Sequence, residues 1–491
     1  MYTELLLVLL TVAFFVRIIL DVVHRRKTFP PGPYWKPFIG DGPELRKLSR
    51  KLGSQHLAMQ ELAKRHDTDV LGLELGRQRF VIACSYDTVL QILKSSTYYA
   101  RPKDLFMKLR TMGTGKGITS TEGEFWVEQR AFLVSHLKAL GFGKSRMEQM
   151  IRDEIDSFLK LLEDPQGYID ISATLAPSIL SILWTLTSGQ TVKGDNRVPR
   201  LLQLLKTRNE LFDMSGGFLN QFPWLRFIAP ERSGYNLLQA VNQELKEFIM
   251  ETINEHKRNW SEGRCDDFIY SFLCEQNKPS QENFSDDQLV MVCLDIFFAG
   301  SGTTSNAIDF AFLAMILYPE VQEKVFQCLS KEFKRDEDIS YADRKRVPYI
   351  EAVLLECQRY FPIMPVSGPR RVLHPTLIDK YIVPPGTTAL YSIHAVHQDK
   401  EYWKDPENFR PERFLDENNN IVSQERILTF GLGKRKCLGD VLAKTCVFLF
   451  FVHVLRKYNI QCEKGNKPTG IPRPGLLLTT ENYKAKFIAR Y

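Results

Sequence analysis

Apolar positions are most concentrated near the N-terminus, where the stretch from Leu5 to Val23 is interrupted by charge only at Arg17 and Asp21. A helix of about 19 mostly apolar residues is close to the length that spans a bilayer. The two charges are four residues apart, so they can pair on one helix face. We therefore predict a membrane anchor over residues 1–27, which ends in the basic cluster at residues 25–27.

The alternative for this segment is a cleaved secretory signal. Such signals carry positive charge before the apolar segment and a small-x-small cleavage site after it, and residues 1–27 have neither feature. The positive-inside rule places the basic cluster and the chain after it on the cytoplasmic side. Prolines restrict the backbone of Phe29–Pro33, which predicts a stiff hinge over residues 28–37 before a globular body over residues 38–491.

The body begins with a pattern typical of strands and continues with patterns typical of helices. Residues 70–83 alternate around a Gly-Arg pair, which predicts a strand hairpin. From about residue 87 to residue 330, apolar residues recur three and four positions apart, as in amphipathic helices. The pattern therefore predicts a mainly helical body with small peripheral sheets.

The clearest helix runs from Ser285 to about Tyr318, and Pro319 stops it. Ser285 and Gln288 have the spacing of a capping box, in which each side chain bonds the other residue's backbone N–H. At about 34 residues the helix would be roughly 50 Å long. Most of its length is apolar, so we expect it to be buried.

Three further elements are predicted in the C-terminal part of the chain. One helix is expected over Pro348–Tyr360 and another from Asp440 to about Leu455, with short strands between them over residues 376–390. No internal repeat is visible. The fold class is mainly α with small β-sheets, as one compact domain behind the anchor.

The amino-acid composition narrows the class of protein but does not identify a function. The 491 residues are 44% hydrophobic and 25% charged, which excludes collagen-like, coiled-coil and largely disordered chains. A net charge of +7 is small for this length, so we expect no nucleic-acid partner. The nine cysteines contain no CxxC pair, and this favours reduced thiols over a disulfide framework or a zinc site.

The segment with the most specific chemistry is Phe430–Gly439, FGLGKRKCLG. Its cysteine, Cys437, lies in a glycine-rich loop before a predicted helix N-terminus, a setting that lowers a thiol pKa and suits a ligand for a soft metal. Glycines would let backbone amides approach the sulfur, and Arg435 can neutralise a cofactor carboxylate. The alternative is a buried structural cysteine.

This segment matches the haem loop of cytochromes P450, Phe-x-x-Gly-x-Arg-x-Cys-x-Gly, at every fixed position. Glu356–Arg359 resembles the family's Glu-x-x-Arg helix, and Pro411–Phe414 resembles its Pro-Glu-Arg-Phe segment. Trp126–Arg130 resembles its Trp-x-x-x-Arg helix. With the anchor and hinge, the chain is similar to a cytochrome P450 over essentially its whole length.

The resemblance implies haem b, with Cys437 as the axial ligand of the iron. Trp126, Arg130 and Arg435 would reach the haem carboxylates. The loop residues expected at the cofactor are Phe430, Gly431, Gly433 and Gly439. Glu356, Arg359 and Arg413 would form a buried charge network needed for folding around haem.

Ala299–Thr304 in the long helix resembles the oxygen-activation segment of the family. Ala299, Gly300 and Thr303 are the implied catalytic residues: Gly300 would open a groove over the haem, and Thr303 would hydrogen-bond the oxygen being activated. The alternative is a set of small residues at a helix crossing. The family commonly has Asp or Glu before this threonine, whereas this chain has Gly302, which removes a carboxylate expected to relay protons.

The resemblance also implies partners and a location. Since the chain has no flavin or iron–sulfur motif, electrons should come from NADPH–cytochrome P450 reductase, with cytochrome b5 as a second donor. Lys434, Lys436 and Lys444 would form a basic face for the reductase, or serve as ordinary solvated lysines. The expected location is the cytoplasmic side of the endoplasmic reticulum membrane.

Several short stretches are similar to insect microsomal P450s grouped with methyl farnesoate epoxidases: Thr68–Leu73, Lys116–Thr119 with Phe125–Arg130, and Leu140–Gly143. Near relatives share these stretches, so two reactions stay open. One is epoxidation of an apolar isoprenoid ester in juvenile hormone synthesis, and the other is N-hydroxylation of an aromatic amino acid to an aldoxime. Apolar residues 296–298 suit either substrate and also suit a plain helix core.

Three functional classes follow from these observations. The first is an NADPH-driven monooxygenase acting on a small apolar substrate, which we favour. The second is a haem isomerase or dehydratase that needs no external electrons, which Gly302 alone supports. The third is a non-catalytic haem sensor or carrier.

Overall fold

The computed structural model describes residues 2–34, 39–163, 167–190, 197–212, 217–279, 281–463 and 465–491. Residues 35–37 of the predicted hinge lie outside this range, as do the side chains of the basic cluster at residues 25–27. Residues 30–487 contain all the elements that position the site described below.

Helices form most of the described chain, and strands form three small sheets. The helices are α1 (Tyr2–Thr28), α2 (Gly42–Leu52), α3 (Gln55–Arg65), α4 (Tyr86–Lys94), α5 (Leu105–Arg110), α6 (Gly123–Ala139), α7 (Ser145–Leu161), α8 (Ile171–Ser188), α9 (Arg197–Glu210), α10 (Gly217–Gln221), α11 (Leu225–Ile228), α12 (Tyr235–Arg258), α13 (Phe268–Gln276), α14 (Asp286–Leu317), α15 (Pro319–Glu332), α16 (Pro348–Tyr360), α17 (Ile393–His397), α18 (Lys400–Trp403) and α19 (Asp440–Lys457). The strands are β1 (Val70–Leu75), β2 (Gln78–Ala83), β3 (Ile169–Asp170), β4 (Val366–Arg371), β5 (Thr376–Ile378), β6 (Tyr381–Val383), β7 (Thr388–Ser392), β8 (Tyr458–Cys462) and β9 (Lys484–Ala489). The predicted fold class, mainly α with small sheets, is confirmed.

The largest sheet has the strand order β1-β2-β7-β4. Its hairpin pairs Val70 with Ala83 and Leu75 with Gln78, as the alternation over residues 70–83 predicts. Gly76 turns the chain with φ +64°, and a Cβ there would lie 2.5 Å from the carbonyl oxygen of Gln221. The other sheets have the orders β3-β9-β8 and β5-β6.

Helix α14 crosses the core and packs against α8, α12, α16 and α19. The Ser285 side chain caps it by accepting the N–H of Gln288 at 3.3 Å. The predicted capping box is wrong in its second half, because the Gln288 side chain points elsewhere. It accepts the N–H of Gly117 at 2.7 Å and donates to Gln129 at 3.1 Å, so tertiary partners replace the local one.

Helix α1 carries exposed apolar side chains, with Leu7 70% exposed and Leu10 62% exposed. Within the described residues, one helix, Ile171–Ser188, is long and apolar enough to cross a membrane, and 67% of it is buried inside the protein. That helix is α8, which packs directly on α14. Its apolar character is therefore explained by the protein core.

A buried carboxyl fastens α14 to the C-terminal segment. Asp309 is 1% exposed and accepts hydrogen bonds from the hydroxyls of Thr480 at 2.6 Å and Tyr483 at 2.7 Å. Burial raises the pKa of Asp309 to about 6, and the two hydroxyls only partly offset that effect. The ionised carboxylate is therefore disfavoured in the folded protein.

This raised pKa makes a prediction about stability and pH. Unfolded Asp309 ionises near pH 4 and folded Asp309 near pH 6, so its contribution to the free energy of unfolding falls as pH rises between those values. Relative to an Asp309→Asn variant, the free energy of unfolding of the wild-type protein should fall by about 2–3 kcal/mol between pH 4 and pH 6. Above pH 6 the difference between the two proteins should stay constant. Thermal unfolding of both proteins from pH 4 to pH 8 measures the difference, and parallel curves would contradict the assignment.

Candidate functional site

The predicted cysteine loop, Phe430–Gly439, contains a short 3₁₀ turn over Gly433–Arg435 and ends where α19 begins. The N–H of Cys437 donates to the carbonyl of Phe430 at 2.9 Å, which closes the loop on itself. Gly431 and Gly433 have φ of +63° and +72°, and a Cβ on Gly433 would lie 2.7 Å from the carbonyl oxygen of Leu93. Gly433 is thus required by both its backbone conformation and its close neighbour.

The thiol of Cys437 does not have the lowered pKa that its sequence position predicts. Burial raises its pKa, whereas the N–H of Gly439 and the charges of Arg130 and Lys436 lower it by less. The nearby Asp440 adds to the rise. The prediction was wrong because the surrounding protein removes more bulk water from the thiol than the helix N-terminus offsets, although the side chain of Cys437 is exposed to the cavity. A metal cation bound to the sulfur would stabilise the thiolate.

Cys437 lines a cavity of about 360 Å³ between its loop and α14. Five other predicted site residues also line this cavity: Ala299, Thr303, Phe430, Gly431 and Arg435. Gly439 instead contacts the sulfur through its backbone N–H. The structure therefore brings the cysteine loop and the predicted oxygen-activation segment to the same space.

Trp126 and Arg130 lie behind the cavity wall and support the loop. The Arg435 guanidinium lies 3.8 Å from the centre of the Trp126 ring. Arg130 donates to the carbonyl of Lys436 at 2.7 Å. Arg435 itself donates to the carbonyls of Tyr99 and Thr121, both at 2.7 Å.

Two further arginines, which the sequence patterns did not identify, line the cavity beside Arg435. Arg101 donates to the carbonyls of Thr119 at 2.8 Å and Pro369 at 2.9 Å. Arg370 is 2% exposed and lies in β4. In the sequence, Arg370 is only a basic residue within a short strand. That its side chain faces the cavity follows from the pairing register of the strand, which the sequence does not give.

The guanidiniums of Arg101, Arg370 and Arg435 donate to backbone carbonyls. Within the described part of the chain, none of them forms an ion pair with a carboxylate. Burial and the neighbouring arginines lower the pKa of Arg435 to about 8 and that of Arg101 to about 10. Nη1 of Arg435 is buried and has no hydrogen-bond partner among the described residues. Since arginine stays protonated in proteins, the cluster fits a ligand that carries carboxylates. With the thiol of Cys437, it fits a soft-metal cofactor with acidic side groups.

Glu356 and Arg359, both 0% exposed, form a bidentate ion pair on α16, with distances of 2.7 and 2.8 Å. Arg413 donates to Glu356 at 3.2 Å. Arg359 also donates to the carbonyls of His397 and Pro406, at 3.0 and 2.9 Å. The predicted network therefore meets in one place, where each charge has several partners.

Each residue of the predicted oxygen-activation segment contacts a different part of the protein. The hydroxyl of Thr303 donates to the carbonyl of Ala299 at 2.6 Å. A Cβ at Gly300 would lie 2.9 Å from Cδ1 of Leu183 in α8, so this glycine allows close helix packing. Gly300 thus lies at a helix crossing and is not among the described residues that line the cavity, and the groove over a cofactor stays a prediction. A Cβ at Gly302 would lie 3.4 Å from Cδ1 of Leu477, a residue that lines the cavity.

The three lysines predicted to form a basic face differ in their nearest neighbours. Lys436 pairs with Asp440 at 2.6 Å, which cancels part of the local charge. Nζ of Lys444 lies 5.4 Å from the centre of the Phe430 ring, and that of Lys434 lies 5.9 Å from the centre of the Tyr99 ring.

Comparison with known proteins gives a consistent result. The sequence profile of the family described as Cytochrome P450 matches residues 30–487. The chain is 39% identical to "Probable cytochrome P450 305a1" of Drosophila melanogaster, with 98% of each chain covered. It is 33% identical to "Farnesoate epoxidase" of Bombyx mori, with 99% of this chain and 98% of the relative covered. It is 30% identical to "Cytochrome P450 2J2" of Homo sapiens, with 97% and 95% covered.

Proposed function

The chain belongs to the cytochrome P450 family of monooxygenases, and we propose that it inserts one oxygen atom from O₂ into a small apolar substrate with electrons from NADPH. The observation that carries this proposal is that one cavity joins Cys437, Thr303 and four arginines, of which three, Arg101, Arg370 and Arg435, form the cofactor cluster. Cys437 would ligate the iron of haem b, and Arg101, Arg370 and Arg435 would bind its carboxylates. Bound haem supplies the oxidation chemistry, to which a thiolate ligand contributes electron density that favours O–O cleavage.

Thr303 would hold and transfer a proton in the cavity. Its hydroxyl is anchored on the Ala299 carbonyl, and rotation about χ1 would turn the same O–H toward the cavity. Because Gly302 supplies no carboxylate, Thr303 and water would carry this proton transfer. Gly300 would act through the packing of α14 on α8.

A Thr303→Ala variant should consume NADPH with little product. Removing a positioned proton donor costs about 100-fold or more in general acid catalysis, and here the ratio of product to NADPH consumed should fall at least about tenfold. Thr303→Ser keeps the hydroxyl and serves as the matched control, with a ratio near that of the wild-type protein. Equal ratios for the alanine and serine variants would contradict this role of Thr303.

Electrons would come from NADPH–cytochrome P450 reductase, with cytochrome b5 as a second donor. Lys434 and Lys444 lie beside the cysteine loop and would contribute to the docking face, although the charge of Lys444 also acts on Glu351, which lines the same cavity. The pairing of Lys436 with Asp440 makes that residue a weaker contributor.

We place the protein on the cytoplasmic side of the endoplasmic reticulum membrane, with residues 1–27 as the anchor, 28–37 as the hinge and 38–491 as the haem domain. The exposed apolar surface of α1 supports this location. A second apolar surface around α11 adds to it, where Trp224 is 53% exposed and Phe227 and Ile228 are each 74% exposed. Such clustered exposed apolar residues are typical of membrane or protein contacts.

For the substrate, we propose an isoprenoid of the farnesoate type, which the enzyme would epoxidise. The relative whose name includes this activity supports the proposal, as does a cavity lined by Phe106, Phe298 and Phe361. The same aromatic lining also suits N-hydroxylation of an aromatic amino acid to an aldoxime. Only the product distinguishes these two reactions.

The test uses membranes that contain the full-length chain and its reductase. Methyl farnesoate and phenylalanine are supplied together, with and without NADPH, and products are identified by mass. An NADPH-dependent epoxide supports the proposal, whereas an aldoxime selects the amino-acid reaction. Product that forms equally without NADPH would favour the isomerase or dehydratase. If neither substrate changes while haem is still bound through a thiolate, both substrate proposals fall and the haem site stands.

A further inference from the structure

The substrate side of the cavity contains a cation that the cofactor cluster does not include. Arg110 ends α5, is partly buried and lines the cavity. Its guanidinium carbon lies 5.1 Å from the centre of the Phe298 ring, next to Ala299 on α14. Within the described residues, the Arg110 guanidinium has no hydrogen bond or ion pair. A desolvated cation in this position requires a partner.

The neighbouring charges do not neutralise Arg110. Arg208 lies at the same distance from the Phe298 ring, 5.1 Å, so a second cation adds to the local charge. Arg208 is 1% exposed and donates to uncharged acceptors, Asn242 Oδ1 at 2.8 Å and the Arg110 carbonyl at 2.6 Å. Burial and the charge of Arg110 lower the pKa of Arg208 to about 9.

The nearest acid, Asp295, already has three other donors. It accepts the N–H groups of Ile118 at 2.7 Å and Thr119 at 2.9 Å, and the Thr119 hydroxyl at 2.6 Å. Arg110 and Arg208 outnumber Asp295, and Arg101 adds a further positive charge that acts on both Arg110 and Asp295, so this end of the cavity is net positive. Glu351, another acid that lines the cavity, has a pKa raised by burial.

A neutral polar group accompanies Arg110. Asn209 lines the cavity, and its Oδ1 is buried without a hydrogen-bond partner in the described part of the chain. Rotation of this amide by half a turn would present N–H donors in place of the oxygen. The rest of the adjoining wall includes the apolar side chains of Phe106, Met107 and Phe298.

We propose that the substrate is an apolar carboxylic acid and that Arg110 binds its carboxylate, with Asn209 as a second donor. The inference rests on the proposed monooxygenase function and specifies the substrate class of the same site. A carboxylate would pair with Arg110, whereas a methyl ester would leave the guanidinium desolvated and unpaired. The free acid of the farnesoate type should therefore bind more tightly than its methyl ester.

The experiment compares full-length wild-type protein, Arg110→Gln and Lys108→Gln, all loaded with haem. Lys108 is an exposed residue of the same helix, so its substitution removes one positive charge outside the cavity. The ligands are farnesoic acid with methyl farnesoate, and dodecanoic acid with methyl dodecanoate. Binding is titrated through the ligand-induced change in haem absorbance, without turnover.

Wild-type protein should bind each acid more tightly than its ester. Arg110→Gln should weaken acid binding by roughly 30-fold or more, since it removes one partner of a buried charge pair. Ester binding should change less than about threefold, and Lys108→Gln should change neither ligand. Wild-type protein that binds no acid, or an Arg110→Gln variant that affects acid and ester equally, would overturn the proposal and leave the monooxygenase function standing.

Arg110 has one other possible partner, the cofactor. The reduced carbon monoxide spectrum of each variant separates the two roles. Retention of the thiolate-type band in Arg110→Gln supports a role in substrate binding, and its loss would assign Arg110 to the cofactor and overturn the proposal. Absence of this band from wild-type protein would contradict the monooxygenase function itself.

Discussion

A Cys437→Ser variant is expected to lose the thiolate-type absorption band of the reduced carbon monoxide complex and to form no NADPH-dependent product. Cys437 has the backbone N–H of Gly439 at its sulfur and lines the same cavity as Thr303. A serine hydroxyl is a hard, neutral ligand and cannot replace a soft thiolate. Absorption spectroscopy and product analysis on the same membranes measure both losses.

A second thiol in the cavity provides the matched control. Cys357 also lines it and lies on α16. A Cys357→Ala variant should keep both the band and the product. Retention of the thiolate-type band in Cys437→Ser, or its loss in Cys357→Ala alone, would show that the ligand has been assigned to the wrong cysteine.

The second large effect is expected from Arg359→Ala. Removing one partner from a buried ion pair leaves the other charge uncompensated, which costs about 3–5 kcal/mol. Glu356 would keep only Arg413 and the N–H of Arg410 as donors. We expect little folded protein that contains haem, measured as haem content per chain and as a lower midpoint of chemical unfolding.

Two comparison variants make this prediction specific. Arg359→Lys keeps the charge but not the bidentate geometry, so it should recover only part of the loss. Arg410→Gln removes an exposed guanidinium that pairs with Asp405 at 2.8 Å, and such exposed pairs contribute less than about 1 kcal/mol. If Arg359→Ala were as stable as Arg410→Gln, the network would have no special role in folding.

The elements predicted correctly from sequence are those in which a local pattern and a local stop signal agree. The hairpin over residues 70–83 and helix Pro348–Tyr360 have their predicted bounds. Helix α14 begins after its Ser285 cap and ends one residue before Tyr318. The glycine-rich loop was also recognisable, because the positive φ angles of Gly431 and Gly433 leave few other residue choices.

The features that sequence did not predict depend on residues distant in the chain. The Gln288 side chain bonds Gly117 and Gln129 in place of its own helix end. Gly300 packs against Leu183 of another helix. The pKa of Cys437 depends on how far the surrounding protein removes bulk water from its thiol. None of these interactions is visible in the local pattern.

The arginines of the cavity illustrate the same limit. Arg101, Arg110 and Arg370 are separated by up to 269 positions and meet only in the folded protein. In the sequence each is an ordinary basic residue beside polar or apolar neighbours. Their common lack of a carboxylate partner among the described residues becomes evident only when burial and contacts are known.

The central claim is that the protein inserts oxygen from O₂ with electrons from NADPH. The most direct test supplies isotopically labelled dioxygen to the full-length chain and its reductase, with farnesoic acid and methyl farnesoate as substrates. The account predicts a product that requires NADPH and contains one labelled oxygen atom per molecule. An unlabelled product that forms equally without NADPH would contradict it.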